Sequence, residues 1–172
     1  MAKLIHKERM NWKGVLYDLA LYESDSIEGL KPITKVQAVL FTDDNNIVLY
    51  KHIDGYFGLP GGSVEENETF ESALRREARE ESSCEILDYG FIGYVEGAQV
   101  EVQNNKIYQL CYWAKVKLLD ELVNDPCGKA LSREVVNLNV AVEKLNWGER
   151  GKELINLATN KFKKNIAIKP SH

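Results

Sequence analysis

Several protein classes are excluded by what this chain has little of. It contains three cysteines, three histidines and four prolines in 172 residues. Cys84, Cys111 and Cys127 make no Cys-x-x-Cys pair and no even set, so neither a disulfide framework nor a zinc site is expected. No apolar run approaches the roughly 20 residues that span a bilayer. The first residues, with Lys3, His6, Lys7, Glu8 and Arg9, lack the apolar stretch of a secretory leader. These absences lead us to expect a cytoplasmic protein with reduced thiols and no membrane partner. Basic excess is missing too. A net charge of −4 and a pI near 5.5 argue against affinity for a polymeric nucleic acid, which depends on neutralising many phosphates. A small phosphorylated ligand remains compatible with that charge, because a divalent cation can bridge carboxylates to phosphate.

With 44% hydrophobic and 28% charged residues, the chain reads as one globular domain over residues 1–172. Residues 33–41 are β-rich, and the turn formers Asp43 to Asn46 separate them from a second apolar run at 47–50, which predicts a hairpin. A short strand is expected around 56–59. Residues 67–83 carry no Gly or Pro and predict a helix, with Asn67 as its N-cap. Strands are expected at 86–95, 99–102 and 107–118, with Asn104-Asn105 as a turn, and again near 135–140. Leu154, Ile155, Leu157, Ala158 and Phe162 recur at helical spacing and predict a helix over 149–163, followed by a loose tail at 163–172. Residues 1–30 are read as an N-terminal extension of one strand and one helix, serving either as a homodimer interface or as cover for a sheet edge. The interspersed strands and helices indicate an α/β layered domain with a mixed β-sheet.

The helix over 67–83 has an unusual wheel. At about 100° per residue, with Leu74 at zero, Phe70 falls at about −40°, Glu77 at about −60° and Glu81 at about −20°. Apolar and acidic residues therefore share one stripe, with Glu80 on its flank. A solvated acidic face paired with Arg76 or Arg79 is the plain alternative. Carboxylates three and four residues apart at the edge of a core repel one another and lose hydration, so a cation is the better fit. Hard oxygen ligands without nearby His or Cys select Mg²⁺ or Mn²⁺.

These residues also form a known pattern. Gly62, five residues, Glu68, seven residues, Arg76-Glu77, Ala78, Arg79, Glu80-Glu81, Ser82, Ser83, Cys84 resembles the signature box of the Nudix hydrolases. That box runs Gly, five, Glu, seven, Arg-Glu, apolar, any, Glu-Glu, any, Gly, apolar. Phe57-Gly58-Leu59-Pro60-Gly61 looks like the usual approach to it. A chance match of the six fixed positions in one such chain is on the order of 10⁻⁵. Ser83 departs from the pattern, standing where the family has the Gly suited to a left-handed helix end.

The resemblance implies an α/β/α sandwich and hydrolysis of a nucleoside diphosphate linked to another moiety, with Mg²⁺ as cofactor and Mn²⁺ as a substitute. It makes Glu77, Glu80 and Glu81 metal ligands, one of them also helping to deprotonate water. Arg76 would orient the glutamates, Glu68 would support the helix and loop, and the Gly61 carbonyl is a further candidate ligand. The implied partner is a small phosphorylated nucleotide. A Pro about sixteen residues after the box marks many ADP-ribose hydrolases, and a Tyr near there marks diadenosine polyphosphate hydrolases. This chain has Val100, Glu101 and Val102. A nucleoside triphosphate, normal or oxidised, is the remaining default; ADP-ribose or another nucleotide sugar, or a silent nucleotide sensor, are the alternatives. Tyr56, Phe57, Tyr94, Tyr108, Tyr112 and Trp113 are candidate stacking surfaces, and Glu96, Glu101, Asp120, Glu121 and Glu134 are candidate additional carboxylates.

Overall fold

The computed structural model describes residues 1–120 and 125–168. In chain order the elements are β1 (Lys3–Trp12), β2 (Val15–Glu23), β3 (Ile33–Phe41), β4 (Ile47–His52), β5 (Phe57–Gly58), β6 (Gly61–Ser63), α1 (Phe70–Ser82), β7 (Cys84–Gln99), β8 (Ile107–Leu118), β9 (Ala130–Val136), α2 (Leu138–Leu145) and α3 (Gly148–Ile168). The strands form one sheet in the order β1-β2-β7-β8-β3-β4-β5, with β6 also on β3 and β9 also on β4. Among the described residues only β3 and β8 run parallel, so the sheet is mixed, as expected.

Alternation along β3 builds the two layers. Val36, Ala38 and Leu40 face α1, packing with Ala73, Leu74 and Ala78, while Val39 and Phe41 face α2 and α3, packing with Leu145, Leu154, Ile155 and Phe162. The Phe41 and Phe162 rings stack at 4.4 Å. This is the α/β/α sandwich that the box implies.

Several local expectations are corrected. Residues 1–30 hold two strands and no helix. Lys13 and Gly14 both have positive φ, the turn that matches strand twist in a two-residue hairpin, and β2 then pairs with β7 and covers that sheet edge. Asn67 lies outside α1. The N-cap is Thr69, whose hydroxyl accepts the Ser72 N–H while Ser72 returns a bond to the Thr69 N–H. The expected strand at 99–102 is absent because β7 ends at Gln99 and the chain turns there, with the Val102 N–H bonded to the Gln99 carbonyl. Near 135–140 the strand is β9, ending at Val136. Asn137 then caps α2 by accepting the Val140 N–H. The loose tail is shorter than expected, since α3 continues to Ile168 and Asn165 donates to Asp88 at 3.1 Å; residues 169–172 lie outside the described part.

Ser83, the departure from the box, takes the left-handed conformation (φ 49°, ψ 47°), with its N–H returning to the Ala78 and Arg79 carbonyls. The helix therefore ends as it would with glycine, at a conformational cost of about 1 kcal/mol. Ser83→Gly is expected to raise stability by about 0.5–1 kcal/mol, less the added freedom of the unfolded chain, read as a small rise in the urea midpoint.

Candidate active site

Three pieces of chain meet at the last two turns of α1. The first is the loop from β5 to β6, where the Pro60 carbonyl accepts the Ala38 N–H and Gly61 and Gly62 pair with Gln37 and Val36 of β3. A side chain at Gly61 would run into the Val36 carbonyl oxygen, and one at Gly62 into the Glu77 carboxylate. The glycines thus let backbone lie directly against carboxylate. Gly61→Ala is expected to cost about 1–3 kcal/mol by forcing β6 away from β3, checked by chemical denaturation.

The second piece is α1. Glu77 is only 9% exposed, and Ala73, Leu74 and Ala78 beside it are buried, which bears out the mixed stripe of the wheel. Arg76 is the hub. Its guanidinium grips Glu68 with two bonds of 2.9 and 3.0 Å, and reaches Glu77 at 2.7 Å, Glu80 at 3.3 Å and the Ser63 carbonyl at 3.0 Å. Glu68 also accepts the Glu65 N–H at 3.0 Å, so it ties the loop before α1 to the helix. The Arg76 bonds hold Glu68 below the usual carboxylate range. Glu77 is pushed above it by burial, against the pull of Arg76.

Glu81 stands apart from Arg76 and accepts the Gly61 N–H at 2.9 Å. Burial, with the charges of Glu77, Asp125 and Glu80 added, pushes its carboxyl up to about 8.

The third piece is the segment around Asp125, which the sequence reading did not single out. Its carboxylate accepts the Cys127, Lys129 and Ala130 N–H groups at 2.8–2.9 Å. Burial raises it, but those donors outweigh burial and hold it below the usual range, so it stays charged near Glu81. The one signal for it was the Asp-Pro-x-Gly turn. Tyr50 of β4 was likewise missed. Its ring fills the space above Gly58, and burial, together with Glu81 and Glu77, raises its hydroxyl strongly.

The other carboxylates are engaged elsewhere: Glu96 with Lys106 at 2.9 Å and Tyr108 at 3.2 Å, and Glu134 with Lys144 at 2.6 Å. Glu101 and Asp120 are exposed, and Glu121 lies outside the described residues. Tyr94, Tyr112 and Trp113 are core, whereas Tyr56 is 46% exposed and stacks on the buried His52 ring at 4.2 Å.

Glu68, Glu77 and Glu80 thus gather around one guanidinium, with Glu81 and Asp125 nearby, a surplus of hard, partly desolvated oxygen donors. Among the described residues no three such side chains already surround a common point, because Glu77 and Glu80 turn to Arg76 and Glu81 turns to Gly61. The donor chemistry and the glycine cradle fit a hard divalent cation; the partners that hold the carboxylates now are the ones it would exchange.

The sequence profile of the NUDIX domain matches residues 31–157. Among curated proteins none matches the chain. Among solved structures, a pyrophosphohydrolase of Bacillus subtilis is similar with TM-score 0.70 and 16% identity over 96% of this chain and 100% of that one. The NUDIX domain of Shewanella oneidensis NrtR, complexed with ADP ribose, has TM-score 0.59 and 19% identity over 80% and 93%. An Ap4A hydrolase of Caenorhabditis elegans has TM-score 0.52 and 16% identity over 80% and 99%. At these identities the structures speak for the fold, and the profile, spanning most of the chain and the carboxylate helix, decides the family: the chain belongs to the Nudix family of pyrophosphohydrolases, which act on phosphorus-containing acid anhydrides and generally use divalent cations.

Proposed function

We propose that this protein hydrolyses the pyrophosphate linkage of a small nucleoside diphosphate derivative, a nucleoside triphosphate first among them, with Mg²⁺ as its cation and Mn²⁺ as a substitute. The observation that carries this reading is the convergence of Glu77 and Glu81 on the Gly61-Gly62 backbone, with Glu80 held beside Glu77 by Arg76. Glu77, Glu80 and Glu81 would hold the cation, with the Gly61 carbonyl beside them. Bound there, it would offset phosphate charge and make water more acidic. Arg76 orients Glu77 and Glu80, and Glu68 fixes Arg76. Glu81, which stands apart from Arg76 and among the described residues accepts only the Gly61 N–H, is suited to accept the proton of the attacking water. Residues 1–172 act in this reading as one domain around one sheet. The free thiols Cys84, Cys111 and Cys127 support a cytoplasmic setting, and no described helix is long and apolar enough to cross a membrane.

ADP-ribose is the second reading, favoured by the ligand of the Shewanella domain and disfavoured by Val100 in place of the expected Pro. The test is phosphate-product release from a panel of nucleoside triphosphates, nucleotide sugars, dinucleotides and coenzymes with Mg²⁺, with Glu80→Gln and Glu81→Gln proteins alongside. Turnover of one class that vanishes in both variants supports the hydrolase and names its substrate. Retained cation binding with no turnover anywhere would overturn it in favour of a sensor.

A further inference from the structure

The carboxylate end of α1 is clasped by a residue outside the box. Arg133 lies on β9 opposite Tyr50 of β4, so its side chain shares the sheet face that carries α1. Its guanidinium donates through Nη1 to the Ser83 carbonyl at 2.5 Å and the Ser82 carbonyl at 3.3 Å, and through Nη2 to the Leu119 carbonyl at 2.6 Å. Among the described residues it meets no carboxylate within 4 Å. The Ser83 carbonyl also accepts the Leu119 N–H at 2.9 Å, so the three residues form a closed set of bonds joining the end of α1, the end of β8 and β9. The crevice left between α1 and β9, lined by Glu80, Glu81 and Arg133, is about 10 Å³, room for no more than one water.

We propose that Arg133 is a positioning residue for Glu80 and Glu81, and that it compensates for serine at the left-handed helix end. The C-terminus of a helix carries partial negative charge, and here that charge falls beside two glutamates and the place of a polyphosphate; a guanidinium on the last carbonyls offsets it. The fork also fixes where α1 stops. Glu81 must meet the Gly61 backbone, which hangs from β3 and from β5 next to β4, so the helix end has to be held in register with the β4 side of the sheet. Arg133, reaching over from β9 on β4, supplies that tie. Ser83 in place of glycine strains the same turn, and its carbonyl is one that Arg133 holds. A lysine would bring the charge to this point without the planar fork that spans carbonyls of two elements.

The inference rests on the hydrolase reading for its kinetic arm only. Hydrogen exchange and Mn²⁺ affinity of the unmodified chain, Arg133→Ala, Arg133→Lys and both changes in the Ser83→Gly background test it without turnover. Arg133→Ala should speed exchange of the amides at 80–84 about tenfold, leave α3 amides unchanged, and weaken Mn²⁺ about tenfold. On the substrate the panel identifies, kcat should fall about 10- to 100-fold with KM within about threefold. Arg133→Lys should restore little of this, and the same alanine change should cost severalfold less in the Ser83→Gly background. Exchange and Mn²⁺ affinity unchanged in Arg133→Ala would overturn the proposal. So would full rescue by lysine, or faster exchange spread evenly over the sheet with unchanged kcat per folded molecule. If the unmodified chain turns over nothing, the hydrolase reading fails while exchange and Mn²⁺ binding still decide the role of Arg133.

Discussion

Glu81→Gln should lower kcat on the protein's substrate by about 10³-fold, because it removes both a proposed cation ligand and the proposed proton acceptor at once. The same substitution should leave the fold intact and, without metal, make it more stable at alkaline pH. In the folded chain the Glu81 carboxyl is raised from 4.5 to about 8, chiefly by burial. Between those values the folded state keeps a proton that the unfolded chain has released. The contribution of Glu81 to stability is therefore complete below 4.5 and is lost as the pH rises through 8. Urea denaturation of metal-free protein across that window, with the glutamine variant subtracted, isolates this slope from opposing groups such as Glu68 and Asp125. Glutamine keeps an oxygen to accept the Gly61 N–H and carries no charge to desolvate, so its own slope should be flatter. Divalent cation should reverse the trend in the unmodified chain, since it favours the ionised carboxylate. A glutamine variant with unchanged kcat would remove Glu81 from the chemistry.

Arg76→Met should destabilise metal-free protein by about 2–4 kcal/mol, near the lower part of the range for breaking a buried ion pair because Arg76 keeps some solvent contact. Three carboxylates lose their shared partner, and the Ser63 carbonyl loses a donor. The loss should be larger at pH 8 than at pH 5, since protonating Glu77, already raised by burial, relieves the repulsion that Arg76 now masks. Adding Mn²⁺ should recover part of it by mass action on the folded state. A loss under 1 kcal/mol, independent of pH, would reduce Arg76 to an ordinary surface pair.

Much of the site was legible because its chemistry is local in sequence. Glu77, Glu80 and Glu81 sit within two turns of one helix, and a helical wheel places Glu77 and Glu81 on the apolar stripe and Glu80 on its flank whatever surrounds them. Arg76 and Glu68 were legible through the resemblance to the signature box, eight residues apart on one helix and its approach. The helix ends were harder to read. Asn67 and Thr69 are both good caps, and what separates them is that Ser72 can return a bond only to Thr69. The N-terminal hairpin escaped because β1 alternates between exposed and half-buried residues with little core of its own, and its pairing with β2 rests on a turn at Lys13-Gly14 that pattern reading passed over.

The chain by itself determined the family, the carboxylate helix and the mixed α/β layering, since each follows from residue type and short-range spacing. Tertiary structure alone decided which distant groups tune that helix. Gly61 reaches Glu81 across 20 residues and Arg133 reaches Ser83 across 50. Tyr50 from β4 and Asp125 from the segment before β9 come to the same place. Strand order brings these together, and it depends on which strands pair. Burial then decides that Glu81 is basic, and the Arg76 hydrogen bonds that Glu68 is acidic, because the cost of charging a carboxylate is set by the solvent and donors around it, which sequence spacing does not specify.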